Sequence, residues 1–397
     1  MDNIAFRIVI LFVSICMQQI AEAQPFTKKY ILSFHSCPIP NCGGPQNHTV
    51  YLAESDDAEN WTILPNFNGY SGSVPDVITR ANKLYIYTPG KVKRYDNSNN
   101  QWEVNPMNVS ISDSIGNPVQ FVDPSAYVDE NGNLCLFFLN STGIVGDPAQ
   151  CLNPPCTAYF DSAVEVVGSD GTQFVKQSGH RITYTSNSNF IPTDPDIFSK
   201  GNLFYIYISY GSGTIVYTSN ALHGNYNQIA TLPNGYLTNN NAGVPCGLFF
   251  GPSNLYYSYV HRNTANGSEI SMAKHADFTT QANYTSLFTG NSIGLGNVQV
   301  ASPGICENTF LATSLHETLA DTDLAIYPNP NQGSFTLHPK KPMSNISIFD
   351  LTGNIIYLYR NTAHNAFFTC NNVPKGMYIV AYSISQKEIH YTKLIVQ

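Results

Sequence analysis

Charge is scarce in this 397-residue sequence: Lys, Arg, Asp and Glu together make up 12% of it. Positive charge is scarcer still, 19 Lys+Arg against 27 Asp+Glu. That balance excludes a nucleic-acid partner, because phosphate binding runs on clustered Lys and Arg. The deficit lies in residues 24–322, with 12 Lys+Arg against 22 Asp+Glu, whereas residues 323–397 hold 6 against 3. Long apolar runs are missing beyond the N-terminus, so no transmembrane segment is expected. No stretch of helical period is long enough to anchor a helical domain. What is abundant is Gly (28), Pro (24), Tyr (25) and Phe (22), the composition of an all-β protein with many turns. The length allows two domains.

The N-terminus reads as a secretory leader over residues 1–23. Arg7 precedes the apolar run Ile8 to Met17, and Ala21-Glu22-Ala23 forms a small-x-small cleavage site. Of nine cysteines, Cys16 leaves with the leader. Cys37 and Cys42, like Cys151 and Cys156, are separated by four residues rich in Pro and Asn. In an exported chain this spacing suits two small disulfide loops, each stabilising by roughly 2 kcal/mol. A metal site is the weaker reading, because no second Cys or His pair lies nearby at ligand spacing. Cys135, Cys246 and Cys306 fall in apolar phrases and are expected as buried thiols.

Those phrases organise the chain. Phe121 to Leu139 reads as an Asp-Pro pair opening a short strand (Ser125 to Val128), an Asn131-Gly132 type I′ turn, and an apolar strand from Leu134. Loose copies start at Ser73, Thr193, Gly243 and Ala301, with prolines at 75, 124, 195, 245 and 303. A leucine follows each, at Leu84, Leu134, Leu203, Leu255 and Leu311. Outer hairpins recur at His48 to Leu64, from Gly213 and from Glu269. Each repeat is therefore about four strands. The first, at Lys28 to Ser36, lacks its Pro-led strand, and the last near Ala301 has almost nothing else. Radial four-stranded sheets bury their faces on neighbours, and the ring closes when both chain ends share one sheet. The expected fold is a five-bladed β-propeller over residues 24–315, its first blade completed by strands near Ala301 and Leu311. A β-sandwich would not predict five copies of one hairpin.

The phrases from Ser73, Val122 and Thr193 and the segment Ala53 to Trp61 resemble blades of five-bladed propeller glycoside hydrolases, nearest to family 43, the arabinanase and xylosidase-like enzymes. The likeness spans residues 28–312. It implies an inverting pair of carboxyl groups at the ring's axis, with Asp123 matching an aspartate that orients the acid. The acid position itself holds Thr193, leaving Asp194 or Asp196 as substitutes. The base position reads Ser302-Pro303, and Asp76 follows its proline instead of preceding it. His261 matches a histidine that in relatives approaches an axial ion, calcium or another, although no cofactor is required. Trp61, Tyr127 and Tyr210 are candidates for stacking on sugar rings.

After a polar linker at 316–324, the character changes. Tyr327-Pro328-Asn329-Pro330, Gly333-Ser334-Phe335, Ile348 to Gly353, Gly376-Met377-Tyr378 and Lys393 to Val396 resemble the C-terminal sorting domain of type IX secretion substrates in Bacteroidota. The resemblance implies a small C-terminal β-sandwich over 325–397 that engages the type IX machinery, placing the cargo outside the cell or on the outer-membrane surface. Three functions remain: a hydrolase of polysaccharide, a non-catalytic propeller that binds glycans or proteins, or a structural surface protein with no small ligand, which the polar loops near the axis disfavour.

Overall fold

A computed structural model describes residues 26–40, 42–144, 146–238, 241–265, 267–313, 324–329, 331–350, 354–362, 367–385 and 388–396. The expected leader and nearly all of the expected linker lie outside them. The described residues contain no α-helix, only strands, turns and short 3-10 turns. The chain divides into two compact units, Met1–Leu311 and Ala312–Gln397.

The first unit holds five sheets. The first runs Val298–Glu307, Tyr30–Pro38, Thr49–Ser55, Thr62–Ile63, so its innermost strand comes from the far end of the unit. Tyr30 pairs with Glu307 and Ser36 with Val300. The second sheet runs Asp76–Arg80, Lys83–Thr88, Lys91–Asp96, Gln101–Trp102. The third begins Phe121–Val128, Leu134–Asn140, Cys156–Glu165 and extends to seven strands. The fourth opens on Thr193–Lys200 and the fifth on Gly243–Phe250, each with four strands.

Alternate residues of a strand face opposite ways, so each sheet has two apolar faces to bury. Five separate cores result, one for each pair of neighbours. Ile31 and Ile86 join the first and second sheets; Tyr87 and Leu136 join the second and third; Phe137 and Ile206 join the third and fourth. Tyr207 and Tyr256 then join the fourth and fifth, and Tyr259 and Leu32 join the fifth back to the first. The Pro-led strands touch in the same cyclic order.

Local details depart from the sequence reading. Asp123-Pro124 does not open its strand; it forms a bulge inside Phe121–Val128, between Val122 and Ser125. The hairpin after it is not type I′, because Gly132 takes a positive φ (80°) and Asn131 does not. The Asp129 carboxylate accepts the N–H groups of Asn131 and Asn133 (2.9 and 2.8 Å) and fixes a longer turn between Val128 and Leu134. Leu311 lies in the 3-10 turn Thr309–Thr313, not in a strand. The second strand of its sheet is Tyr30–Pro38 instead.

In the second unit, Leu324–Tyr327, Phe335–Pro339 and Phe368–Cys370 form one sheet, and Ile355–Thr362, Met343–Phe349, Gly376–Ser385 and Glu388–Val396 another. Leu337 from the first and Ile346, Val380 and Leu394 from the second share one core. Among the described residues no helix is long and apolar enough to cross a membrane.

Candidate functional site

All five Pro-led phrases meet. Val74-Pro75-Asp76, Asp123-Pro124-Ser125, Asp194-Pro195-Asp196, Val244-Pro245 and Ser302-Pro303 line one small cavity of about 20 Å³, room for one water. The residue before each proline has a positive φ: Val74 46°, Asp123 51°, Asp194 51°, Val244 46° and Ser302 55°. Side chains with a Cβ avoid this region, β-branched valine most of all. Each such residue costs about 1–3 kcal/mol and persists only where surrounding contacts fix it. Side chains of preceding sheets supply such contacts. The Val74 N–H donates to His35 Nδ1 (3.3 Å), the Asp194 N–H to Asp123 Oδ2 (3.4 Å) and the Val244 N–H to Ser209 Oγ (3.3 Å).

In three of the five phrases the residue after the proline ties its sheet to the next. The Ala126 N–H donates to Asp76 Oδ2 (2.6 Å), the Ile197 N–H to Ser125 Oγ (3.1 Å) and the Gly247 N–H to Asp196 Oδ2 (2.8 Å). The donor in each case sits two residues past the next proline. Asp76 and Asp196 are buried in this belt. Burial pushes the Asp76 carboxyl up to about 7, and burial, then the Asp76 charge, pushes Asp196 well up.

Above the belt opens a cleft of about 520 Å³. Asp123, Thr193 and Asp194 line it, with Pro45, Ser73, Val74, Lys91 and Asp147 among its other walls. Asp123 and Asp194 are half-buried neighbours. Burial, then the Asp194 charge, pushes Asp123 well above the usual carboxylate range; burial raises Asp194 to about 6. Thr193 Oγ1 donates to Asp194 Oδ2 (2.6 Å).

Asp147 escaped the sequence reading. It is exposed, its Oδ1 accepting the Ala149 N–H (2.9 Å) and its Oδ2 the Gln150 Nε2–H (3.3 Å). A signal for it existed: Asp123, Asp147 and Asp194 are the three aspartates of the chain followed directly by proline, and all three line this cleft.

Segments next to both disulfide loops border it. Cys37–Cys42 and Cys151–Cys156 are bonded; Pro45 follows the first and Asp147 to Ala149 precede the second. Cys135, Cys246 and Cys306 are free and buried.

The aromatic candidates lie elsewhere. Trp61 packs edge-on to Tyr259 at 6.4 Å. The Tyr127 hydroxyl donates to Ser199 Oγ (3.0 Å), and its ring meets Phe204. Tyr210 bonds Ser188 Oγ (2.8 Å) beside Tyr184. None of the three lines the cleft.

Calcium takes six to eight oxygen ligands. Here one oxygen each of Asp76 and Asp196 already accepts a backbone N–H. His261 lines neither cavity, and its Nε2 lies 3.2 Å from Asn263 Oδ1. No step below is routed through an ion. Among the described residues, Cys37, Cys42 and His48 bring their ligand atoms within 4.8 Å of one another, the two sulfurs joined as a disulfide.

Residues 325–397 match the secretion system C-terminal sorting domain family. That match supports export or surface placement by the type IX system. No curated protein matches the sequence. Among solved structures, the chain is similar to an endo-1,4-beta-xylanase from Bacteroides thetaiotaomicron (TM-score 0.41, 12% identity, covering 64% of this chain and 90% of that one). It is also similar to an alpha-L-arabinanase mutant from Cellvibrio cellulosa (0.39, 14%, covering 65% and 92%). A third likeness is to a GH43_1 enzyme from Xanthomonas citri complexed with xylose (0.37, 14%, covering 66% and 92%). At these identities and TM-scores the likenesses carry no chemistry.

Proposed function

We propose that residues 24–315 form a five-bladed β-propeller that hydrolyses polysaccharide in the cleft at its axis. The leader 1–23 and the tail 325–397, joined through 316–324, export it by the type IX route to the medium or the outer-membrane surface. The blade reading rests on the five shared cores and the cyclic order of the Pro-led strands.

One observation carries the hydrolytic reading: the three Asp-Pro aspartates line a single cleft in unequal environments. Inverting hydrolysis needs one carboxyl that holds a proton and one carboxylate that takes one, and environments that differ provide both. Asp123 and Asp194, raised by burial, share the proton that passes to the leaving glycosidic oxygen. Asp147, exposed at the rim, takes a proton from the water whose oxygen attacks the anomeric carbon.

The test is a polysaccharide panel on the purified protein, scoring binding and product release separately. Asp123→Asn and Asp147→Asn are each expected to lower kcat by about 10²–10⁴-fold with melting temperatures near wild type. Full turnover by both variants would overturn the assignment. A large loss of melting temperature in Asp123→Asn would make that residue a turn-former instead.

The second reading is a non-catalytic glycan binder. It is favoured by Thr193, which occupies the acid position of the resemblance and bonds Asp194. Binding without product release across the panel would establish it.

A further inference from the structure

We infer that Cys37, Cys42 and His48 form a thiol-gated site for a soft divalent cation, closed as a disulfide and opened by a dithiol reductant. The two sulfurs and an imidazole nitrogen come within 4.8 Å of one another, an S₂N donor set of the kind that zinc takes. His48 is held from two sides. Its Nδ1 lies 2.7 Å from Ser73 Oγ, and its ring stacks on His35 at 4.1 Å. A hydrogen bond on one ring nitrogen is what orients the other toward a metal. Nε2 lies 4.0 Å from Cys42 Sγ and donates its N–H to the Cys42 carbonyl oxygen (3.2 Å); with the proton carried on Nδ1 and given to Ser73 Oγ instead, Nε2 is free to take the cation. Gln299 Oε1, 4.0 Å from Cys37 Sγ, stands near as an oxygen donor for a fourth position.

The second bridge is the internal control. Cys151 and Cys156 share the same spacing, yet the contact of Cys156 Sγ is the Asn153 carbonyl oxygen at 3.7 Å, with no imidazole. Among the described residues no other Cys, His and carboxylate group gathers in this way.

A dithiol gives two electrons and two protons to the bridge, the Sγ–Sγ bond breaks, and the dithiol leaves as its own disulfide. Both cysteine thiols then release their protons to solvent as the cation binds. Because Pro45 and Ser73 line the cleft, the cation replaces the disulfide as the tie on that wall.

The test uses the exported protein, reduced anaerobically with dithiothreitol, freed of reductant and titrated with Co²⁺. The expected result is one equivalent bound, seen as a thiolate-to-cobalt charge-transfer band that Zn²⁺ abolishes. The oxidised protein should show no band. His48→Ala should weaken binding by at least about tenfold, the loss that even an outer-shell change produces. The paired substitution Cys151→Ser with Cys156→Ser should leave the band intact. Absence of the band in the reduced protein, its loss in the Cys151/Cys156 variant, or full affinity in His48→Ala would each overturn the site.

Discussion

Asp76 shows how a single carboxyl can carry a pH dependence. Its ordinary value is 3.8, and burial raises it to about 7 in the fold. Between those values the folded chain holds a proton that the unfolded chain has released. The folded state therefore binds more protons, and stability falls as pH rises from about 4 to about 7. Asp76→Asn keeps an oxygen for the Ala126 N–H while removing its titration, so the fall in melting temperature across that window should become smaller, Asp194 and the other raised carboxyls supplying the remainder. An unchanged slope would show that Asp76 does not titrate there. Asp76→Ala removes the acceptor as well, strands a buried N–H, and should cost about 1–3 kcal/mol at any pH. The resemblance in the sequence brought up Asp76 and Asp196 as carboxylates near the expected acid and base positions. It could not show that their oxygens face the backbone of the next sheet, since that partner lies about 50 residues away.

Among elements, the strand Val298–Glu307 has the largest responsibility, because it is drawn from the end of the unit to pair with Tyr30–Pro38. Its Gly304 has no side chain for a reason. A Cβ there would come 2.5 Å from Asp76 Oδ1 and 2.9 Å from the Pro75 carbonyl oxygen. Gly304→Val should therefore destabilise by about 1–3 kcal/mol or more through overpacking, read as a lower urea midpoint. A wild-type midpoint would mean that the two strands are not so closely apposed. The existence of the Pro-led strands was legible from composition and turn residues. Their strained entry was not, because proline ordinarily drives the preceding residue to extended backbone. Only contacts from the neighbouring sheet hold Val74 and Asp194 otherwise.

Across the whole molecule, the two units have separate cores. A chain lacking residues 325–397 should fold and melt as the first unit does, yet fail to leave the periplasm in a type IX-competent host. Normal export of that truncation would remove the sorting role from the tail.

What the sequence determined by itself is local. Alternating apolar residues, turn formers and paired cysteines are short-range signals, and they specified strands, repeated hairpins, two disulfides and a distinct tail. The meeting of side chains was decided by tertiary structure. Asp123 and Asp194 stand 71 residues apart, yet Asp123 accepts the Asp194 N–H, and Asp147 joins them from a loop whose anchoring appears only once the sheets pack. Closing a cycle of sheets turns five local phrases into one axis, and closure is a long-range constraint that no window of sequence contains.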